Sequence, residues 1–142
     1  MIIGQFNSKL TDKERVSVPK KLRDELGDEL VLARWYENCL ILVSSSNWKR
    51  LLKRLGGTSE RITSPIRDID RFILGLAYEV DLDRQGRFIL PDLLKGYARI
   101  RNEVVFVGLL DRVEIWSVEN WREYEDSIRG KAEKAIEKLA RR

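Results

Sequence analysis

The strongest constraint on the fold is an internal repeat. Arg15-Val16-Ser17-Val18-Pro19 aligns with Arg87-Phe88-Ile89-Leu90-Pro91. Glu29-Leu30-Val31-Leu32 aligns with Glu103-Val104-Val105-Phe106. Leu40-Ile41-Leu42-Val43-Ser44, followed by Asn47-Trp48, aligns with Val113-Glu114-Ile115-Trp116-Ser117, followed by Asn120-Trp121. The offsets are 72, 74 and 73 residues, a drift that short gaps in two loops explain. Two copies are too few for a solenoid, which needs about three. They suit one pseudo-symmetric domain in which each half buries the apolar face of the other.

Each half predicts the same elements. A short strand, around Gly4–Phe6 or Tyr78–Leu82, leads into a polar turn. A second strand follows, Arg15–Val18 or Arg87–Leu90, with Val16 and Val18, or Phe88 and Leu90, on one face. Proline ends each strand because it cannot donate to a ladder. A short helix comes next, Lys20–Leu26 in the first half, stopped by Gly27. Two β-rich runs then flank a turn at Tyr36-Glu37-Asn38 or Leu110-Asp111-Arg112. Three further helices are expected. One runs from Asn47 to Leu55 and ends at Gly56-Gly57. Another runs from Ile66 to Leu76, opened by Ser64-Pro65. The last is long, runs from Ser117 to Leu139, and carries the apolar stripe Trp121, Tyr124, Ile128, Ala132, Ile136 and Leu139. The division this suggests is a first repeat with its helix over 1–56, a linking helix over 57–77, and a second repeat with the C-terminal helix over 78–142. Gly56–Thr63 is the most linker-like stretch.

Composition removes several chemistries. With no histidine among 142 residues, Ser-His-Asp and Cys-His catalysis and His-based zinc sites are excluded. Cys39 is the single cysteine, so no disulfide framework forms within the chain, as suits a reducing cytoplasm. No Gly-rich phosphate loop of Walker type, nucleophile elbow or metal-ligand cluster is visible, and no enzyme, cofactor or metal is expected. The longest apolar stretches are too short to span a membrane, and Met1–Phe6 has no charged n-region or long apolar h-region, so no signal peptide is expected. Trp48, Trp121 and Trp116 are expected in the core, whereas the sequence does not place Trp35, beside Tyr36 at a turn, for which an exposed oligomer or partner contact is one reading.

The two polar turns carry the chemistry. The first is Thr11-Asp12-Lys13-Glu14-Arg15 and the second Asp83-Arg84-Gln85-Gly86-Arg87. Gly86 supplies positive φ without a Cβ clash. Glu14 stands at the matching place, at a cost on the order of 1 kcal/mol if the backbone is the same, which predicts a looser or differently shaped first turn. Asp83 can bond backbone N–H groups or pair with Arg87, whereas Thr11 offers only a hydroxyl. The net charge of the whole chain is +4. Lys9–Arg23 holds six basic and two acidic residues, while Asp81–Lys95 holds three of each. A basic strand and turn suit phosphate contacts, and an adjacent arginine can read guanine in a major groove. About six phosphate contacts per protomer bind weakly at physiological salt, so several copies must act together.

The order and spacing of these motifs resemble the MraZ family of bacterial transcriptional regulators across essentially the whole chain. The resemblance rests on Gly4, on Asp12-Lys13-x-Arg15 with Val16-Ser17-Val18-Pro19, and on Leu26-Gly27 and Trp48. It continues through Glu79-Val80-Asp81-Leu82-Asp83-x-Gln85-Gly86-Arg87, Val107-Gly108 and Glu114-Ile115-Trp116-Ser117-x-Glu119-x-Trp121. The family's twice-used Asp-x-x-x-Arg motif is intact in the second copy, as Asp83 and Arg87. The first copy keeps Arg15 but has Thr11 for aspartate and Glu14 where glycine is common.

The resemblance implies an α+β, mostly β fold: a pseudo-two-fold swapped-hairpin small barrel, AbrB-type and double-psi-like, with peripheral helices. It implies a cytoplasmic, nucleoid-associated regulator that binds double-stranded DNA. Such proteins form ring-shaped homo-oligomers on short direct repeats in the promoter of the division and cell-wall gene cluster. The expected DNA contacts are Arg15 and Arg87 for base edges, with Lys13, Lys9, Lys20, Lys21 and Arg84 for phosphates. Thr11, Asp83 and Gly86 are expected to position the turns. The competing expectation is an antitoxin-like or scaffold module on the same barrel. No membrane or small-molecule partner is expected.

Overall fold

A computed structural model describes residues 1–56 and 63–141. The stop at Gly57 and most of the linker-like stretch lie outside the described residues. The first half gives strands β1 (Ile3–Lys9), β2 (Arg15–Ser17), β3 (Leu30–Arg34) and β4 (Leu40–Ser44), with helices α1 (Lys20–Leu26) and α2 (Ser45–Gly56). Helix α3 (Ser64–Ile73) and a short 3₁₀ turn, Leu74–Leu76, precede the second half. That half supplies β5 (Tyr78–Val80), β6 (Arg87–Ile89), α4 (Asp92–Tyr97), β7 (Glu103–Leu109), β8 (Val113–Ser117) and α5 (Val118–Ala140).

The strands are exchanged between the halves. Six of them form one antiparallel sheet in the order β1-β7-β8-β4-β3-β5, and β2 pairs with β6 in a separate ribbon. The order is a palindrome under the repeat: β1 corresponds to β5, β7 to β3, and β8 to β4. The first strand of each half therefore pairs with the third strand of the other. The ladder does not close among the described residues, since β1 and β5 are its two free edges. The expected closed barrel is thus corrected to an open sheet with a ribbon laid against it. The Leu10–Val16 bridge joins the two.

The sheet is buried on both faces, which explains its nearly unbroken apolar strands. On one face Leu30, Leu32, Leu40, Leu42, Phe106 and Ile115 pack under the ribbon, α1 and α4, against Val16, Val18, Leu22, Phe88, Leu90 and Leu94. On the other face Val31, Ala33, Ile41, Val43, Val105 and Trp116 pack against Trp48, Leu51, Ile73 and Trp121 from the longer helices. Trp35, which the sequence left unplaced, is buried. It keeps 6% exposure, and the Tyr97 hydroxyl donates to its backbone carbonyl at 2.6 Å.

Helix ends follow side-chain chemistry, with small shifts from the sequence reading. Ser117 caps α5 by accepting from the backbone N–H of Asn120 at 3.0 Å. Ser44 Oγ accepts from the N–H of Asn47 at the start of α2, at 3.3 Å. The apolar stripe of α5 splits. Trp121 is buried and Tyr124 stacks on Trp116, but Ile136 and Leu139 stay 67% and 66% exposed. Among the described residues, no helix is long and apolar enough to cross a membrane.

Candidate nucleic-acid interface

The β2–β6 ribbon carries both motif arginines. Its register sets Arg15 opposite Ile89, Val16 opposite Phe88, and Ser17 opposite Arg87. Alternation sends Val16 and Phe88 into the core. Arg15, Ser17, Arg87 and Ile89 therefore share the other face, where Ile89 is 63% exposed. The two polar turns enter this ribbon at opposite ends, because its strands run antiparallel.

The turns share one backbone frame. Thr11 N–H donates to Arg15 O at 2.9 Å and Glu14 N–H to Thr11 O at 3.0 Å. In the second turn, Asp83 N–H donates to Arg87 O at 2.9 Å and Gly86 N–H to Asp83 O at 3.0 Å. Each turn is also tied to the other half. Gly86 O accepts from Val18 N–H, and Glu14 O from Leu90 N–H, both at 2.9 Å. Gly86 has φ +75° and Glu14 has φ +58°. The first turn is therefore not differently shaped, contrary to the sequence expectation. Glu14 adopts the left-handed conformation at a cost on the order of 1 kcal/mol.

The turns differ in what fastens them. Asp83 Oδ1 accepts from the backbone N–H groups of Gln85 and Arg87, both at 2.9 Å, and Oδ2 accepts from Arg87 Nε at 2.9 Å. These bonds, the Arg87 N–H foremost, hold the Asp83 carboxyl below the usual carboxylate range. Thr11 Oγ1 makes the two equivalent backbone bonds at 3.3 Å and 3.2 Å, but cannot form an ion pair. Among the described residues, the Arg15 guanidinium has no hydrogen-bond or ion-pair partner. The carboxylate of Glu14 does not stand free beside the turn. It meets Lys95 Nζ of α4 at 2.7 Å.

The remaining basic residues are dispersed. Lys13 and Arg84 are exposed on the two turns, at adjacent rather than equivalent positions of the frame. Lys20 pairs with Asp24 along α1 at 3.4 Å, and Lys21 is exposed on the same helix. Lys9 lies at the end of β1, opposite Glu103. Arg23, which was not singled out in the sequence, lies directly over Gly86. The signal was the glycine at a buried turn position, but nothing local says which side chain covers it.

Comparison with known proteins accords with the repeat. The family model that matches is described as "MraZ protein, putative antitoxin-like" and covers residues 1–72 and again 73–142. Among similar chains, "Transcriptional regulator MraZ" of Caldanaerobacter subterraneus subsp. tengcongensis is 38% identical over 139 residues, covering 98% of this chain and 96% of the relative. The protein of the same name from Clostridium beijerinckii is 41% identical over 127 residues, 89% of each chain. That from Halothermothrix orenii is 38% identical over 141 residues, 99% of this chain and 94% of the relative.

Proposed function

The chain belongs to the MraZ family, and from that premise we propose that it is a transcriptional regulator that binds double-stranded DNA through the ribbon and its two turns. The observation that carries the reading is the ribbon's outer face, where Arg15 and Arg87 stand together beside exposed Lys13 and Arg84. A two-stranded ribbon fits a B-DNA major groove, and an arginine can contact guanine there with two hydrogen bonds. Lys13, Arg84, Lys21, Lys20 and Lys9 are the phosphate candidates. Of these, Lys20 is already shared with Asp24, and Lys9 faces Glu103 across a ladder. Thr11, Asp83 and Gly86 position the turns through the hydrogen bonds and backbone angles described above.

One protomer presents too few cations for tight binding at physiological salt. A homo-oligomeric ring on short direct repeats supplies the missing affinity through effective concentration. Two features favour assembly: the free edge of β1, and the apolar Ile136 and Leu139 on the outer half of α5. The swapped-hairpin architecture fits the exchange of strands between halves. The regulator acts in the cytoplasm on nucleoid DNA, and the reading assigns it no enzymatic step. The direct test is a salt-dependent gel shift with the DNA upstream of this chain's own gene, using wild type and Arg15→Ala. The reading predicts a specific shift that weakens steeply with salt and is lost in the mutant while assembly, checked by size exclusion, is retained. Absence of a wild-type shift at any salt overturns it.

A further inference from the structure

Sequence charge is unequal between the halves, but the fold crosses it over. Arg23 of α1 and Lys95 of α4 occupy equivalent places in the repeat, each four residues after the strand-ending proline. Each reaches the turn of the opposite half. Lys95 meets Glu14 in the first turn. Arg23 covers Gly86 in the second so closely that a β-carbon there would collide with its Cδ, Cζ and Nη1. The two cations then meet different fates. Lys95 is neutralised by Glu14. Arg23 finds glycine where a carboxylate would be, and its Nε is buried without a hydrogen-bond partner. Among the described residues, no acceptor or carboxylate meets its guanidinium. Asp83, the nearby acid of that turn, is already committed to Arg87.

We infer that Arg23 is a DNA-phosphate contact of the second turn, contributed by the first repeat. The inference rests on the DNA-binding reading above. An anionic oxygen is the partner that an uncompensated guanidinium lacks, and phosphate is the anion a DNA-binding ribbon brings beside it. Arg84, exposed two residues before Gly86, flanks the same place. With Arg23 counted where it sits, the second turn offers two cations without a counter-charge, Arg84 and Arg23. The first also offers two, Lys13 and Arg15. The charge excess of Lys9–Arg23 therefore does not make the first turn the sole electrostatic anchor. Gly86 serves both purposes, permitting positive φ and leaving room for the arginine.

The test is the salt dependence of binding for wild type, Arg23→Gln and Arg23→Lys. Two duplexes are used: the DNA upstream of this chain's gene, and an unrelated duplex of equal length. Each phosphate contact contributes a slope of about −0.9 in log K against log salt. Arg23→Gln keeps a stem over Gly86 but removes the charge. It is expected to reduce the slope by about one contact per engaged protomer, equally on both duplexes, with unchanged melting temperature and assembly. Arg23→Lys is expected to retain the wild-type slope. An unchanged slope in Arg23→Gln, or a loss as large in Arg23→Lys, overturns the inference while leaving DNA binding intact. A wild type that binds neither duplex overturns both the inference and the reading beneath it.

Discussion

The first and second turns of this protein have the same backbone and opposite means of fastening. In the first, the strand arginine is free and the helix cation is tied: among the described residues Arg15 has no partner, and Lys95 is held by Glu14. In the second, the strand arginine is tied and the helix cation is free: Arg87 is held by Asp83, and Arg23 lies over glycine. Among the described residues, one carboxylate per turn engages a cation, but it sits at different positions of a shared frame. The lesson is that duplicated halves can diverge in charge placement without diverging in shape. The turn geometry is secured by backbone bonds that either side chain at position 11 or 83 can supply.

The largest difference between the halves lies beneath the turns, where Val16 faces Phe88 across the ribbon. Both are essentially buried. Phe88→Ala is expected to cost about 3–5 kcal/mol and Val16→Ala about 2 kcal/mol, read as denaturant midpoints at constant m-value. Equal costs would mean that the ribbon is not packed as described.

The glycine position gives the next largest contrast. Gly86→Ala forces a Cβ into left-handed backbone and against Arg23, a loss of about 1–2 kcal/mol or several degrees of melting temperature. Glu14→Gly relieves on the order of 1 kcal/mol of backbone strain but gives up a half-exposed ion pair worth about 0–1 kcal/mol. It is expected to shift stability much less than Gly86→Ala. A large destabilisation in Glu14→Gly would make the Lys95 pair, rather than the backbone, the fastening of the first turn.

A third comparison converts one turn into the other. Thr11→Asp installs the missing carboxylate opposite Arg15. The expected gain in stability is no more than about 1 kcal/mol. The expected cost is weaker and less selective binding to the upstream duplex, since Arg15 is then held by the new carboxylate. Unchanged affinity and preference would show that a tied arginine contacts DNA as well as a free one.

The smallest effect is on pH dependence. A carboxyl held below its ordinary value of 3.8 stabilises the fold above that pH and loses the contribution as pH falls through its lowered value. The acid limb of the stability profile should therefore be shallower in Asp83→Asn than in wild type below about pH 4. The first turn, with Thr11, has no acid at this place to titrate. An unaltered acid limb in Asp83→Asn would remove Asp83 from the list of stabilising carboxylates.

Much of this was legible in the chain. Alternation at Val16, Val18, Phe88 and Leu90, the two terminating prolines and the serine at position 117 marked the elements because each acts locally. Strand exchange was legible only through the family resemblance, because the pairing of β1 with β7 leaves no local signature distinct from a hairpin with β2. The shape of the first turn was misread for a similar reason. Glu14 is disfavoured there by its own conformation, and its compensating partner, Lys95, comes from the other half. Trp35 could not be placed from the sequence because it sits at a turn beside Tyr36, which is exposed, whereas the fold buries it in one cluster with Ala33 and Ile41. The crossing of Arg23 onto Gly86 depends on the same exchange, so the charge count along the chain misassigned it.

The central claim is that Arg15 and Arg87, equivalent in sequence, are unequal in use because only one has its charge compensated. The most direct measurement compares Arg15→Ala with Arg87→Ala in one series of DNA titrations over salt, on folded and correctly assembled protein. The account predicts that Arg15→Ala loses about 1–3 kcal/mol of binding to the upstream duplex and, with it, preference over an unrelated duplex. It predicts that Arg87→Ala loses less of both, with its cost showing in thermal stability instead. Losses of binding and preference that are equal, or larger in Arg87→Ala, would contradict it.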